Sequence, residues 1–203
     1  MPNWNSTQYR ILGNKNQVEN IFNKFQQVLH TDRRAEKDHS TFLPDPTWLG
    51  YVAQGLLDID PETEKIPCRG EISWIDDTIT NKEEGDAYFE LSTETAWSDC
   101  RELFYLLSEK YDVQILFFTS EFGCEFLQTN DTAGECFTTR FILDDIDGDS
   151  FYCDSFEELA EDINDRFGEY PTSFKDIENI IERHDLCETL HAYEVSLVSL
   201  DEF

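Results

Sequence analysis

The run Asp144-Asp145-Ile146-Asp147-Gly148-Asp149 crowds carboxylates round a glycine, the residue types of a calcium loop. In an EF-hand loop that glycine holds position six. Counting back puts Leu143 at position one, where a carboxylate is needed, and Asp154 at position twelve. The flanks read as strands rather than helices. The run is therefore expected to be a solvated hairpin tip that attracts divalent cations only weakly. His184, Cys187 and His191 have helix-like spacing and soft or nitrogen donors, as zinc prefers. A fourth ligand is not evident, and they read as surface histidines beside a core cysteine. Cys100 stands near a helix start, where a thiolate is stabilised, but Asp99 opposes that charge and the residue falls on an apolar stripe. No G-x-S-x-G, phosphate-binding glycine loop, H-E-x-x-H or dinucleotide fingerprint occurs. No catalytic residue, metal or cofactor is predicted.

One further stretch could bind. Glu90-Leu91-Ser92-Thr93-Glu94-Thr95-Ala96-Trp97 ends a strand and sets Trp97 just before a helix. Trp74 on the partner strand and Arg69 are expected nearby. Together they form an aromatic rim with one acid, Glu94, and one base, Arg69. The alternative is that both tryptophans staple helix to sheet.

The elements that must position these residues follow from periodicity. Thr7 to Leu12 alternates as a first strand, and Asn16 with Glu19 resembles a capping box for a helix carrying Val18, Ile21, Phe22 and Phe25. His30 to Phe42 reads as a mobile loop. A second helix is expected over about 46–57, with Pro46 at its first position and Trp48, Leu49, Val52, Ala53 and Leu56 on its apolar side. Glu71 to Thr80 and Ala87 to Thr93 read as a hairpin. Ser98 is expected to cap a helix that carries Cys100, Leu103, Phe104, Leu107 and Tyr111 on one face. Val113 to Thr119 is nearly all apolar and reads as a buried strand.

That order, strand–helix–strand–strand–helix–strand over about residues 7–119, is the split βαβ, ferredoxin-like pattern of an α+β protein. The name describes the chain path and implies no iron–sulfur cluster. A meander is expected next, over Cys124 to Thr129, Cys136 to Leu143 and Asp149 to Cys153, with Asp147-Gly148 as a hairpin turn. Two helices capped by Ser155 and Ser173 follow, then a last strand through Tyr193 to Val198. The division is thus 1–120, a core with the inserted helix at about 46–57, and 121–203, an acidic meander with two helices and a strand. Both are expected on the same sheet as one compact unit.

Bulk composition bounds the function. The chain has 203 residues, 39% of them apolar, with 16 Phe, enough for a packed interior. Its 15 basic and 44 acidic side chains give a net charge of −29. Residues 1–70 hold eight basic and nine acidic side chains; the other 133 hold seven and 35, so the later part supplies the field. A field of that sign repels nucleic-acid backbones and anionic membranes and favours a protein partner with a basic surface. The polar start shows no secretory signal, no apolar run could span a bilayer, and six dispersed cysteines lack a CxxC. The expected compartment is the cytoplasm, with reduced thiols. Oligomeric state does not follow from the sequence.

Met1-Pro2-Asn3-Trp4, Lys65-Ile66-Pro67-Cys68-Arg69-Gly70, Ser92-Thr93-Glu94-Thr95-Ala96-Trp97 and Phe122-Gly123-Cys124 occur in an order that resembles the YubB-like family. These are uncharacterised proteins of bacterial plasmids, conjugative elements and phages with a ferredoxin-like domain. The likeness covers most of the chain. In the family a Cys usually follows the opening Trp; here it is Asn5. The resemblance implies a bacterial cytoplasm carrying a mobile element and no established activity. Trp4 joins Arg69, Trp74, Glu94 and Trp97 as a candidate binding residue. The expected function is a non-catalytic interaction module acting on a basic or nucleic-acid-binding host protein. The alternative is a small-molecule sensor or enzyme with a pocket near Arg69, Glu94 and Trp97.

Overall fold

The computed structural model describes residues 3–31, 45–146 and 148–203. The opening Met1-Pro2, most of the predicted loop (residues 32–44) and Asp147 of the predicted hairpin turn lie outside them. The architecture is mixed α+β with two sheets. The chain divides into two compact units, Met1–Phe126 with Val198–Phe203, and Leu127–Leu197.

In the first unit β1 (Trp4–Asn14) leads into α1 (Lys15–Leu29). Two short helices follow, α2 (Leu49–Val52) and α3 (Pro61–Glu64), then β2 (Gly70–Ile75), β3 (Thr80–Asn81) and β4 (Asp86–Ala96). The unit continues through α4 (Arg101–Tyr111) and β5 (Gln114–Glu121). The strands lie in the order β5-β1-β4-β2, every pair antiparallel, and β3 pairs with β4 beyond β2. Alternation decides which side is covered. Tyr9 and Ile11 of β1, Phe89 and Leu91 of β4, and Ile115 and Phe117 of β5 point into the core. There they meet Val18, Ile21 and Phe25 of α1 and Leu103, Phe104 and Leu107 of α4. The Tyr9 ring stacks on Phe104 with centroids 3.6 Å apart, and its hydroxyl donates to the Asp99 carbonyl at 2.7 Å.

Three helix starts differ from expectation. Asn14, not Asn16, caps α1, accepting from the Asn16 N–H at 3.0 Å. The second helix opens at Leu49 rather than Pro46, because Trp48 is still extended and lays its ring across Gly50. It then widens into a π-helical turn, Ala53–Leu57, where Gly55 lets it close on Val28 of α1. The last of these helices begins at Arg101, three residues after Ser98. Trp97 and Cys100 are both left-handed and turn the chain before the helix can start.

In the second unit β7 (Phe141–Asp145) lies between β8 (Phe151–Cys153) and β9 (Leu190–Glu194). The helices α5 (Phe156–Phe167) and α6 (Phe174–Arg183) pack against them through Leu159, Ile163, Ile177, Ile180 and Ile181. Ser155 and Ser173 cap these helices as expected, accepting from Glu158 and Asp176 N–H groups. Gly168, at φ 71°, ends the first. Of the expected three-strand meander only the last hairpin forms, β7 pairing antiparallel with β8. The strand β6 (Phe126–Thr129) pairs in parallel with β10 (Ser196–Leu197), not with β7. Residues 136–140 do not join the strand, because the Asp131 carboxylate accepts the N–H groups of Gly134, Glu135, Cys136 and Phe137 and winds them round itself, so β7 begins only at Phe141. Among the described residues no helix is long and apolar enough to cross a membrane.

Candidate functional site

Between the α3–β2 segment and the end of β4 the first unit holds a groove of about 700 Å³. Arg69 and Trp97 both line it, together with Trp48, Lys65, Cys68 and Ser98. Backbone contacts hold these walls together. The Ala96 N–H donates to the Arg69 carbonyl at 2.7 Å, and the Trp97 N–H to the Asn3 carbonyl at 3.0 Å. Gly70 is required for this approach: a Cβ there would sit 2.3 Å from the Glu94 carbonyl oxygen and 2.7 Å from the Thr95 Cα. On the opposite wall the Trp48 indole N–H donates to the Cys68 carbonyl at 2.8 Å.

Within the groove the Arg69 guanidinium lies over the Trp97 ring, 5.1 Å from its centroid. Trp97 is nevertheless 64% exposed, and its φ of 69° is one a bulky side chain rarely adopts. Strain of this kind gathers at ligand sites. Lys65 and Arg69 are the only charged groups among the described lining residues, so the groove is cationic inside a chain of net −29.

The other three predicted residues are elsewhere. Trp4, Trp74 and Glu94 occupy the outward side of the sheet: Trp4 stands opposite Ala96, Glu94 opposite Ser6 and Glu71, and Trp74 opposite Ser92. Trp4 and Trp74 are 56% and 52% exposed, and with Trp97 also exposed neither Trp74 nor Trp97 staples helix to sheet. Glu71 facing Glu94 is a like-charged cross-strand pair, which costs stability unless a cation relieves it.

A feature the sequence reading missed lies on the covered side of the same sheet end. Asn5, Thr7, Thr93, Thr95 and Thr119 are all buried there, in positions where the alternation calls for apolar residues. The Asn5 carboxamide oxygen accepts from Thr7 and Thr119 at 2.8 and 2.7 Å. The Asn5 amide nitrogen, the Thr93 hydroxyl and one Glu121 carboxylate oxygen remain buried without a partner among the described residues. Next to them Asp99 and Arg101 form a buried ion pair at 2.6 Å, and Arg101 also donates to the Glu202 carbonyl. The signal was available as threonines in phase with Phe89 and Leu91. Trp48 and Lys65 were missed as groove residues because their closeness to Trp97 depends on the intervening chain path.

The remaining chemical candidates are occupied otherwise. Burial pushes the Cys100 thiol up to about 12, against a hydrogen bond from the Arg69 backbone that acts the other way. His184 packs on Phe167 and faces Glu169, while His191 lies beside Tyr193. Asp145 pairs with Arg166 and Asp144 accepts from Ser150. Among the described residues no three His, Cys, Asp or Glu side chains gather as metal ligands.

Compared with protein-family models, with curated proteins and with solved structures, the chain matches none.

Proposed function

We propose that this is a binding protein whose site is the groove lined by Arg69 and Trp97, and that its ligand is a small molecule. One observation supports this most: a concavity of about 700 Å³, within the usual range for ligand pockets, with two tryptophans and two cations in its walls. Among the described lining residues Lys65, Cys68 and Ser98 carry reactive atoms but no hydrogen bond links them, which supports sensing or carriage. The strand order β5-β1-β4-β2 with α1 and α4 on one side supports a ferredoxin-like class for the first unit. The YubB-like resemblance adds a bacterial cytoplasm and a mobile element as the setting. A melting-temperature screen against metabolites tests the reading. A compound that stabilises wild type but not Arg69→Gln supports it; a screen in which nothing stabilises the protein argues against it.

A second reading has its own observation. The opposed Glu71 and Glu94, flanked by the exposed Trp74 and Trp4, suit a basic protein partner laid on the open sheet side. Titration with an arginine-rich peptide at low and high salt tests it. Equal binding by wild type and the Glu71→Gln/Glu94→Gln double variant would remove that surface from consideration. Nucleic acids and anionic membranes are not proposed as direct partners, because the net charge repels both.

A further inference from the structure

Resting on the groove reading, we propose that the ligand joins a flat ring to an anionic group, a phosphate or a carboxylate. The anion requirement comes from Arg69. Arg10, Arg101, Arg166 and Arg183 each face a carboxylate, and Arg140 donates to backbone carbonyl groups. Arg69 faces no carboxylate among the described residues, and neither does Lys65, although acids outnumber bases 44 to 15. A guanidinium lying over an indole, with no carboxylate partner among the described residues, can fork two oxygens of one anion. Lys65 on the same groove supplies a second positive charge.

The ring requirement comes from Trp97. Arg69 lies over this indole, yet the residue stays 64% exposed, so ring surface remains open to stacking. The left-handed backbone holds the indole out from the wall instead of letting it fold into the core. A ligand with only a ring would leave the two cations unmatched, and one with only an anion would leave the indole wet. The surrounding field strengthens the choice: anions at large are repelled, so only one with a stacking ring gains enough to stay.

Calorimetric titration with adenosine 5′-monophosphate and with indole-3-acetate separates the phosphate and carboxylate sources. Adenosine, ribose 5-phosphate, indole and inorganic phosphate are the fragment controls. At least one of the two ring anions is expected to bind, with its fragments at least about tenfold weaker. Arg69→Gln should weaken that binding about 10- to 100-fold, and Trp97→Gly about 5- to 100-fold. Trp74→Ser, on the outward sheet side, should leave it unchanged; circular dichroism confirms that each variant is folded. A neutral fragment that binds as tightly as its anion, an Arg69→Gln protein that binds normally, or failure of both ring anions overturns the proposal. A neutral compound that still stabilises wild type in the metabolite screen would then leave the groove reading standing, whereas an empty screen removes both.

Discussion

Replacing Trp97 by glycine and by alanine should give two proteins that differ in stability but not in function. Both lose the indole, so both lose its contact with Arg69, about 0.5–1 kcal/mol at an exposed site. They differ at the backbone, where φ is 69°. Alanine keeps a Cβ and so keeps the left-handed penalty of roughly 1–2 kcal/mol. Glycine escapes that penalty but gives the unfolded chain more freedom, which takes back about 0.4–1 kcal/mol. The glycine variant should therefore be more stable than the alanine variant by about 0.5–1 kcal/mol, near 2 °C in melting temperature for a chain of this size. Urea unfolding, with equal slopes required for the comparison, measures this directly. An alanine variant as stable as the glycine variant would mean that residue 97 is not held left-handed, and the explanation for the outward-facing indole would fall with it.

Other outcomes follow from the buried polar groups. Thr93→Val removes a hydroxyl that has no partner among the described residues and should be neutral or stabilising, whereas Thr119→Val strips the Asn5–Thr7 network and should cost about 1–3 kcal/mol; chemical denaturation of the pair distinguishes them. Burial raises the Asp131 carboxyl, but the backbone N–H groups of Phe137, Cys136, Glu135 and Gly134 outweigh it and hold the group below its ordinary value. Its stabilisation is present above the unfolded carboxyl value and disappears as pH falls through the lower folded one. Asp131→Asn should thus cost about 1–3 kcal/mol per N–H left unpaired at neutral pH, and the gap from wild type should shrink on acidification. Burial pushes the thiols of Cys68, Cys100 and Cys153 up to about 12, so a thiol reagent near pH 8 should modify the exposed Cys124 and Cys187 first and reach these three only on unfolding. The sign also predicts that stability declines as pH rises from about 9 toward 12, where unfolded thiols ionise and folded ones do not; rapid native labelling of four or more thiols would contradict this.

Much of the layout was legible because periodicity reports burial. Val18, Ile21 and Phe25 set the inner side of α1, and Leu103, Phe104 and Leu107 that of α4. Ser155 and Ser173 marked helix starts whose capping depends only on neighbours. What failed depended on distant atoms. Ser98 has the right residue type for a cap, but the turn made by Trp97 and Cys100 carries the chain past it. The strand expected from Cys136 starts only at Phe141, because one carboxylate five residues before Cys136 holds the intervening backbone. Arg69 and Trp97, singled out for their chemistry, line one groove. Glu94 was assigned to the same rim, but strand phase sends it outward with Trp74. Only the register separates the two sides of β4, and a one-residue choice there reverses which residues share a surface.

Charge reverses locally in this chain: the groove around Trp97 is cationic and the sheet side around Trp74 is anionic. Ionic quenching of tryptophan fluorescence tests it most directly, comparing Trp97→Phe with Trp74→Phe under iodide and under caesium. Losing Trp97 should remove the emission that iodide quenches, and losing Trp74 a large share of the emission that caesium quenches, with Trp4 on the same sheet side supplying the rest. If iodide is excluded from both indoles and caesium reaches Trp97 as readily as Trp74, the groove shares the field of the rest of the chain and is not an anion site.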